Sequence, residues 1–293
     1  MNDVREIAAH FAPKLDPSIT ECWMEFDGAR MRYLRAGSGP PVILLHGLMG
    51  YSFSWRYTMP ALAPYHTLYA PDMFGAGFSD RPRQIDHSVR GTALRILEFV
   101  KNLGLASFDL LGTSRGGIVA TALAAECLED SPKIRKLVLV CPVNPYSSHG
   151  KRLAPFFGTG VGATAFRFAI ERRPLLYPYF HSRLFGDRKK IPAGSLDGYR
   201  APLAIPGLFD HALSIVRTWT ADLHQQEMLL PKLKNIPTLL VWGDKDPAVY
   251  ISSIRELARH FDNVQTVIFP GIGHLPYEEC PEEFNRELRQ FLQ

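Results

Sequence analysis

Leu110-Leu111-Gly112-Thr113-Ser114-Arg115-Gly116-Gly117 is the stretch from which the rest of the chain is read. The short, largely apolar stretch Phe108 to Leu111 before it is too short for a helix and is of the type expected of a strand covered on both faces. Gly116 to Glu126 after it has helical periodicity. A strand that turns directly into a helix must bend sharply, and glycines at 112 and 116 leave space where a Cβ would collide. The hydroxyl of Ser114 then projects from the tip of a sheet, next to the end of a helix whose N–H groups favour developing negative charge.

Outward from this turn the same apolar runs recur at Val42 to Leu45, Ile134 to Val140, Thr238 to Trp242 and Val264 to Phe269. Helical patterns at Ser88 to Asn102 and Ser252 to His260 lie between them, and such alternation implies a parallel sheet with helices on its faces. Residues 21 to 36 read as an opening antiparallel hairpin turned by Asp27-Gly28. The alternation breaks from about residue 144 to 234, where Phe156-Phe157, Tyr177-Pro178-Tyr179-Phe180 and many prolines suggest a mostly helical insertion. The expected fold class is an α/β sandwich with a mostly parallel central sheet and a helical lid inserted after one strand. Its core spans 1–143 and 235–293, and its lid 144–234.

A serine hydroxyl is a weak nucleophile at neutral pH and needs a base, and the base needs something to orient it. Downstream of Ser114, Val241-Trp242-Gly243-Asp244-Lys245-Asp246-Pro247 follows one strand, and Pro270-Gly271-Ile272-Gly273-His274-Leu275-Pro276 follows the next. The order serine, carboxylate, histidine results, with His274 as the candidate base. Asp244 and Asp246 compete for the third role. Asp246 lies deeper in its loop, while Asp244 is placed to cap the turn or face solvent. His46-Gly47-Leu48-Met49-Gly50 follows the first central strand. There the backbone N–H of Leu48, with that of Arg115, is placed to form an oxyanion hole, and His46 is expected to fix the loop by hydrogen bonding.

Composition narrows the alternatives. The 293 residues are 46% hydrophobic, and 33 Lys and Arg face 29 Asp and Glu. The basic clusters Arg188-Lys189-Lys190 and Arg172-Arg173 are short enough to be solvated faces, so neither nucleic acid nor stable membrane insertion is expected. Cys22, Cys127, Cys141 and Cys280 form no metal-ligand or disulfide pattern. The charged N-terminus lacks a secretory signal, and no window approaches the roughly 20 apolar residues of a membrane span. A cytoplasmic location is the resulting expectation. No G-x-G-x-x-G follows the first strand, and no cofactor or metal is expected.

These motifs together resemble the α/β-hydrolase superfamily, from about residue 21 to the C-terminus. The resemblance rests on His46-Gly47, the loop Pro71-Asp72-Met73-Phe74-Gly75-Ala76-Gly77-Phe78-Ser79-Asp80, the turn at Ser114, and the Asp246 and His274 loops. It is strongest to the lid-bearing branch of esterases, epoxide hydrolases, haloalkane dehalogenases and carbon-carbon bond hydrolases. The resemblance implies a Ser114, His274, Asp246 triad and makes Asp72 a structural turn residue. Some relatives carry the acid after the preceding strand, but Cys141-Pro142-Val143-Asn144 holds no carboxylate. Dehalogenases and epoxide hydrolases of this branch use an aspartate at the turn, so Ser114 points instead to attack on a carbonyl. Carbon-carbon hydrolases usually carry tryptophan after the base, whereas Leu275 stands here.

Cleavage of a small carboxylic ester is therefore the leading expectation. Carbon-carbon cleavage, acyl transfer with the same triad, and a non-catalytic receptor remain alternatives. Phe53, Trp55 and Val143 are candidate pocket walls. Arg115 departs from the apolar residue or glutamine common at its position, and its side chain either pairs internally or recognises an anionic substrate group.

Overall fold

The computed structural model describes residues 3–82, 84–128, 132–147, 156, 159–172 and 176–293. One eight-stranded sheet runs β1 (Ile19–Phe26), β2 (Ala29–Ala36), β3 (Pro41–Leu45), β4 (Thr67–Pro71), β5 (Ser107–Thr113), β6 (Lys133–Val140), β7 (Thr238–Gly243) and β8 (Val264–Phe269). Its spatial order is β1-β2-β4-β3-β5-β6-β7-β8. The first two pairings, β1 to β2 and β2 to β4, are antiparallel, and all the others are parallel. The chain is thus a mixed, mostly parallel α/β sandwich with a helical insertion after β6.

The hairpin closes as its sequence requires. Asp27 and Gly28 both have positive φ, 53° and 66°, the condition for the tight turn whose twist matches the flanking strands. Val42, Ile43, Leu44, Leu110, Leu111, Leu137, Val138 and Leu240 are wholly buried at the sheet centre, which accounts for their unbroken apolar runs. β8 departs from this pattern. It lies at the sheet edge with Ile268 exposed, so its run is covered on only one face.

α2 (Thr58–Leu62), α3 (Val89–Asn102) and α4 (Arg115–Glu126) cover the sheet, while α1 (Val4–Phe11) packs against the turn Ala201–Ala204 of the insertion. Ser88 caps α3 by accepting the Gly91 N–H at 3.0 Å. α1 carries Val4, Ile7, Ala8 and Phe11 at helical spacing, and Asp3 caps it by accepting the Arg5 N–H. Its Ala8 joins a small cluster with Tyr51, Phe53, Phe78, Tyr199 and Ile205.

The insertion holds α5 (Gly160–Arg172), α6 (Leu176–Arg183), α7 (Ser195–Arg200) and the long α8 (Leu208–Leu229). Phe157, Arg173 and the side chain of Arg172 lie outside the described residues. Phe185 and Tyr199 are buried, whereas Phe168, Tyr179 and Phe180 expose about half their surface. Arg188–Lys190 form an exposed single turn. After β7 the chain continues through α9 (Ile254–Ala258), α10 (Pro276–Glu279) and α11 (Pro281–Leu292). The expected helix over 252–260 is shorter, because a 3-10 turn at Ile251–Ser253 takes its start.

A histidine pair joins α8 to the loop before α3. His211 Nδ1 and His87 Nδ1 are 2.9 Å apart, so one ring donates to the other's lone pair. Burial, then the nearby Arg95 and Arg115 charges, push His87 down to about 4, and burial pushes His211 well below its usual range. Both rings are neutral in the folded state. The unfolded chain takes up protons first as pH drops through about 6.5. The stability held by this pair is therefore complete above that pH and is lost as pH falls toward 4. The melting temperature is expected to fall between about pH 7.5 and about pH 5, and to fall less in His87→Asn. An unchanged pH dependence in that variant would show that the pair does not contribute.

Candidate active site

The parallel register brings the ends of the central strands to one edge of the sheet. Leu45 pairs with Gly112, Thr113 with Val140, Val140 with Val241, and Gly243 with Phe269. Loops leaving this edge carry every residue named from the sequence as a candidate for chemistry, the usual place for a site in such a sheet.

Ser114 stands alone between β5 and α4, with φ 53° and ψ −120°. A non-glycine residue in that region is strained, and the surroundings hold it there. Its N–H donates to Val140 O at 2.9 Å, and its carbonyl accepts from the N–H groups of Gly117 and Val143, both at 3.0 Å. The turn is as tight as its glycines imply, since a Cβ on Gly116 would lie 2.4 Å from Leu45 O, and one on Gly112 would lie 2.2 Å from Gly116 O.

Gly47 lies against the Ser114 turn, and a Cβ there would be 3.1 Å from Ser114 Cβ. Gly47 to Gly50 close a turn through Gly50 N–H to Gly47 O at 3.1 Å, with Met49 at φ 60°. Leu48 is thereby held in a tight bend beside Ser114. Arg115 opens α4, where the first N–H groups of a helix lack partners within it. His46 is buried between two bonds. Its Nδ1 meets Gly47 O at 2.9 Å, and its Nε2 accepts from Met73 N–H at 3.1 Å. Burial lowers its pKa, and these bonds use the neutral ring, so it braces the loop. Asp72 is likewise internal, accepting from Ser52 N–H, Phe78 N–H and Arg32 Nη1.

Of the two competing carboxylates, Asp246 meets the histidine. His274 Nδ1 and Asp246 Oδ2 are 2.7 Å apart, and both residues are buried. Asp246 Oδ1 accepts from the N–H groups of Ala248 and Val249 at 2.7 and 2.9 Å, which fixes the carboxylate plane. Asp244 is exposed and accepts from Gly271 N–H at 2.6 Å, tying together the two loops that carry Asp246 and His274.

Cys141 belongs to the same cluster and was not singled out in the sequence. It has φ 43°, is fully buried, and its Sγ lies within 4.8 Å of ligand atoms of Asp246 and His274. Burial, then the Asp246 charge, hold its pKa well above the usual thiol range, so it remains protonated. The three residue types could in principle hold a soft cation. His274 and Asp246, however, are already closer together than two ligands at about 2.0–2.1 Å from one tetrahedral zinc would stand.

The candidate pocket walls fall in different settings. Val143 lines a small cavity beside Arg115 and bonds Ser114 through its N–H. Phe53 packs among Tyr51 and Tyr199, with ring centroids 5.6 and 5.4 Å away. Trp55 is fully buried against Tyr277.

The Arg115 side chain, only 3% exposed, runs inward. Its Nη2 donates to His87 O at 2.9 Å and to Thr92 Oγ1 at 3.2 Å. Burial lowers its pKa to about 10, partly offset by Asp222. The cavity it lines with Asp222, Trp219 and Val143 has about 10 Å³, space on the scale of one water rather than an acidic substrate group.

Comparison with known proteins finds similarity over most of the chain. A model described as alpha/beta hydrolase fold matches residues 40–281. Haloalkane dehalogenase 2 of Mycobacterium tuberculosis is 28% identical, over 92% of this chain and 93% of that protein. Lipase 1 of Psychrobacter immobilis is 26% identical, over 97% and 86% respectively. The solved meta-cleavage product hydrolase of Pseudomonas fluorescens IP01 superposes with a TM-score of 0.76 at 25% identity, covering 94% of this chain and 98% of that one.

Proposed function

The chain belongs to the alpha/beta hydrolase fold family, and from that premise we propose that it is a serine hydrolase that cleaves carboxylic esters through an acyl-enzyme. One observation carries the reading. Ser114 occupies a strained turn at the tip of β5, on the same sheet edge as a buried Asp246 and His274 joined at 2.7 Å.

The chemistry follows from that arrangement. Asp246 holds the Nδ1 proton of His274, so Nε2 carries the lone pair and can take the proton of Ser114. The Ser114 oxygen attacks the ester carbonyl, and the N–H groups of Leu48 and Arg115 stabilise the oxyanion. His274 then gives its proton to the leaving alcohol. Water, deprotonated by the same ring, attacks the acyl-serine and releases the acid. Every step uses side chains and backbone of this chain.

Chemistry also separates this protein from its dehalogenase relative. Displacing halide from saturated carbon with a serine would leave an alkyl ether with no carbonyl for water to attack, a dead end. A serine at this position suits carbonyl substrates instead. Release of p-nitrophenol from short p-nitrophenyl esters tests the reading. A wild-type rate no higher than that of Ser114→Ala would reject it.

The inward course of Arg115 bears on substrate choice. Arg115→Met is expected to change KM for acidic and neutral esters by the same factor, since the guanidinium already bonds His87 and Thr92. A rise in KM confined to acidic esters would reinstate Arg115 as an anion-recognising group.

A further inference from the structure

The loop that carries His274 is clamped on two sides by backbone. On one side, a Cβ on Gly243 at the end of β7 would lie 2.1 Å from Gly273 O. On the other lies a stretch of the insertion, Leu184 to Asp187. A Cβ on Gly273 would be 2.3 Å from Leu184 O, and one on Gly186 would be 2.3 Å from Gly271 O. Neither interface has room for a side chain.

Hydrogen bonds lock this layer. The His274 N–H donates to Leu184 O at 2.7 Å. Glu279, buried on α10, accepts from Gly186 N–H at 3.0 Å, from Asp187 N–H at 2.7 Å and from Gly273 N–H at 2.8 Å. Its Oε2 is shared by Gly186 and Gly273, so a single oxygen bridges the insertion and the residue before the histidine. The neighbouring Glu278 gives α10 a fixed base. It pairs with Arg56 through both oxygens at 2.9 and 2.8 Å and accepts from Ser195 Oγ at 2.8 Å and from the Tyr199 hydroxyl, the last two on α7.

We propose that Glu279 is a positioning residue for His274, and that Leu184–Asp187, although part of the insertion, belongs to the frame that aims the imidazole. The insertion is fixed at this point, and any opening movement pivots elsewhere along it. The inference rests on the hydrolase reading for its kinetic test and on the His274–Asp246 bond for its spectroscopic one.

Glu279→Ala and Glu279→Gln in the full chain test it. Alanine leaves three N–H groups without their acceptor, and kcat for a p-nitrophenyl ester is expected to fall about 100-fold with KM nearly unchanged. Glutamine keeps one oxygen for Gly186 and Gly273, and its loss is expected to be about tenfold. In both variants the far-downfield proton resonance of His274 Nδ1–H should shift or broaden, which needs no substrate. If alanine prevents folding, the glutamine variant carries the test. Wild-type kcat and an unshifted resonance in a folded Glu279 variant would overturn the proposal. Absence of ester turnover in the wild type would instead sink the ester reading, and the resonance would still report on Glu279.

Discussion

Ser114→Ala is expected to lower kcat for ester hydrolysis by about 10⁵- to 10⁶-fold while leaving the melting temperature almost unchanged, because nucleophile and base act as a unit. Among the described residues, the side chain makes no hydrogen bond that holds the turn. The backbone does so through Val140, Gly117 and Val143, and alanine keeps the same Cβ at the same strained φ. A residual rate, about 10³- to 10⁴-fold above water, should survive from the oxyanion hole and ester binding. Steady-state kinetics on p-nitrophenyl butyrate, with thermal denaturation of both proteins, checks both halves. A loss below about tenfold would assign the chemistry to another group.

The second large effect lies at Asp246. In Asp246→Asn, the N–H groups of Ala248 and Val249 still require an acceptor at the Oδ1 position, so the amide oxygen must stay there. The NH₂ group is then forced toward His274 and donates to Nδ1. The imidazole must carry its proton on Nε2, the atom that should take the proton of Ser114. A fall in kcat of about 10⁴-fold with little change in KM is expected. Retention of more than about a tenth of the activity would mean that His274 is oriented by something else. Asp244→Asn is a suitable comparison, since the asparagine oxygen can still accept from Gly271 N–H, the one bond that the Asp244 side chain makes among the described residues.

Much of this architecture was legible in the sequence because it rests on local rules. The positive-φ pair Asp27-Gly28, the unbroken apolar runs of β3 and β7, and the glycines around Ser114 each express a constraint within a few residues. β8 differs from the central strands in that Gln265 and Thr266 interrupt its apolar residues, and both are exposed on this edge strand. α1 was legible too, in the helical spacing of Val4, Ile7, Ala8 and Phe11 behind the Asp3 cap, and it was not among the expected elements.

The candidate site divides in the same way. Ser114, Asp246 and His274 sit in loops with recognisable turn chemistry. Cys141, Glu278 and Glu279 do not, since their roles arise from partners as distant as Arg56 and Gly186, and a buried carboxylate looks like a surface one until its donors are known. The doublet Glu278-Glu279 so soon after His274 was the one available signal. Arg115 was visible as an oddity, but only the positions of His87 and Thr92 decide which way its side chain turns.

Treating the native protein with a fluorophosphonate and locating the adduct by tandem mass spectrometry tests whether Ser114 is the nucleophile. The expected result is a single modification on Ser114, formed in the wild type and lost in His274→Ala. An adduct on any other residue, or equal labelling when His274 is removed, would contradict it.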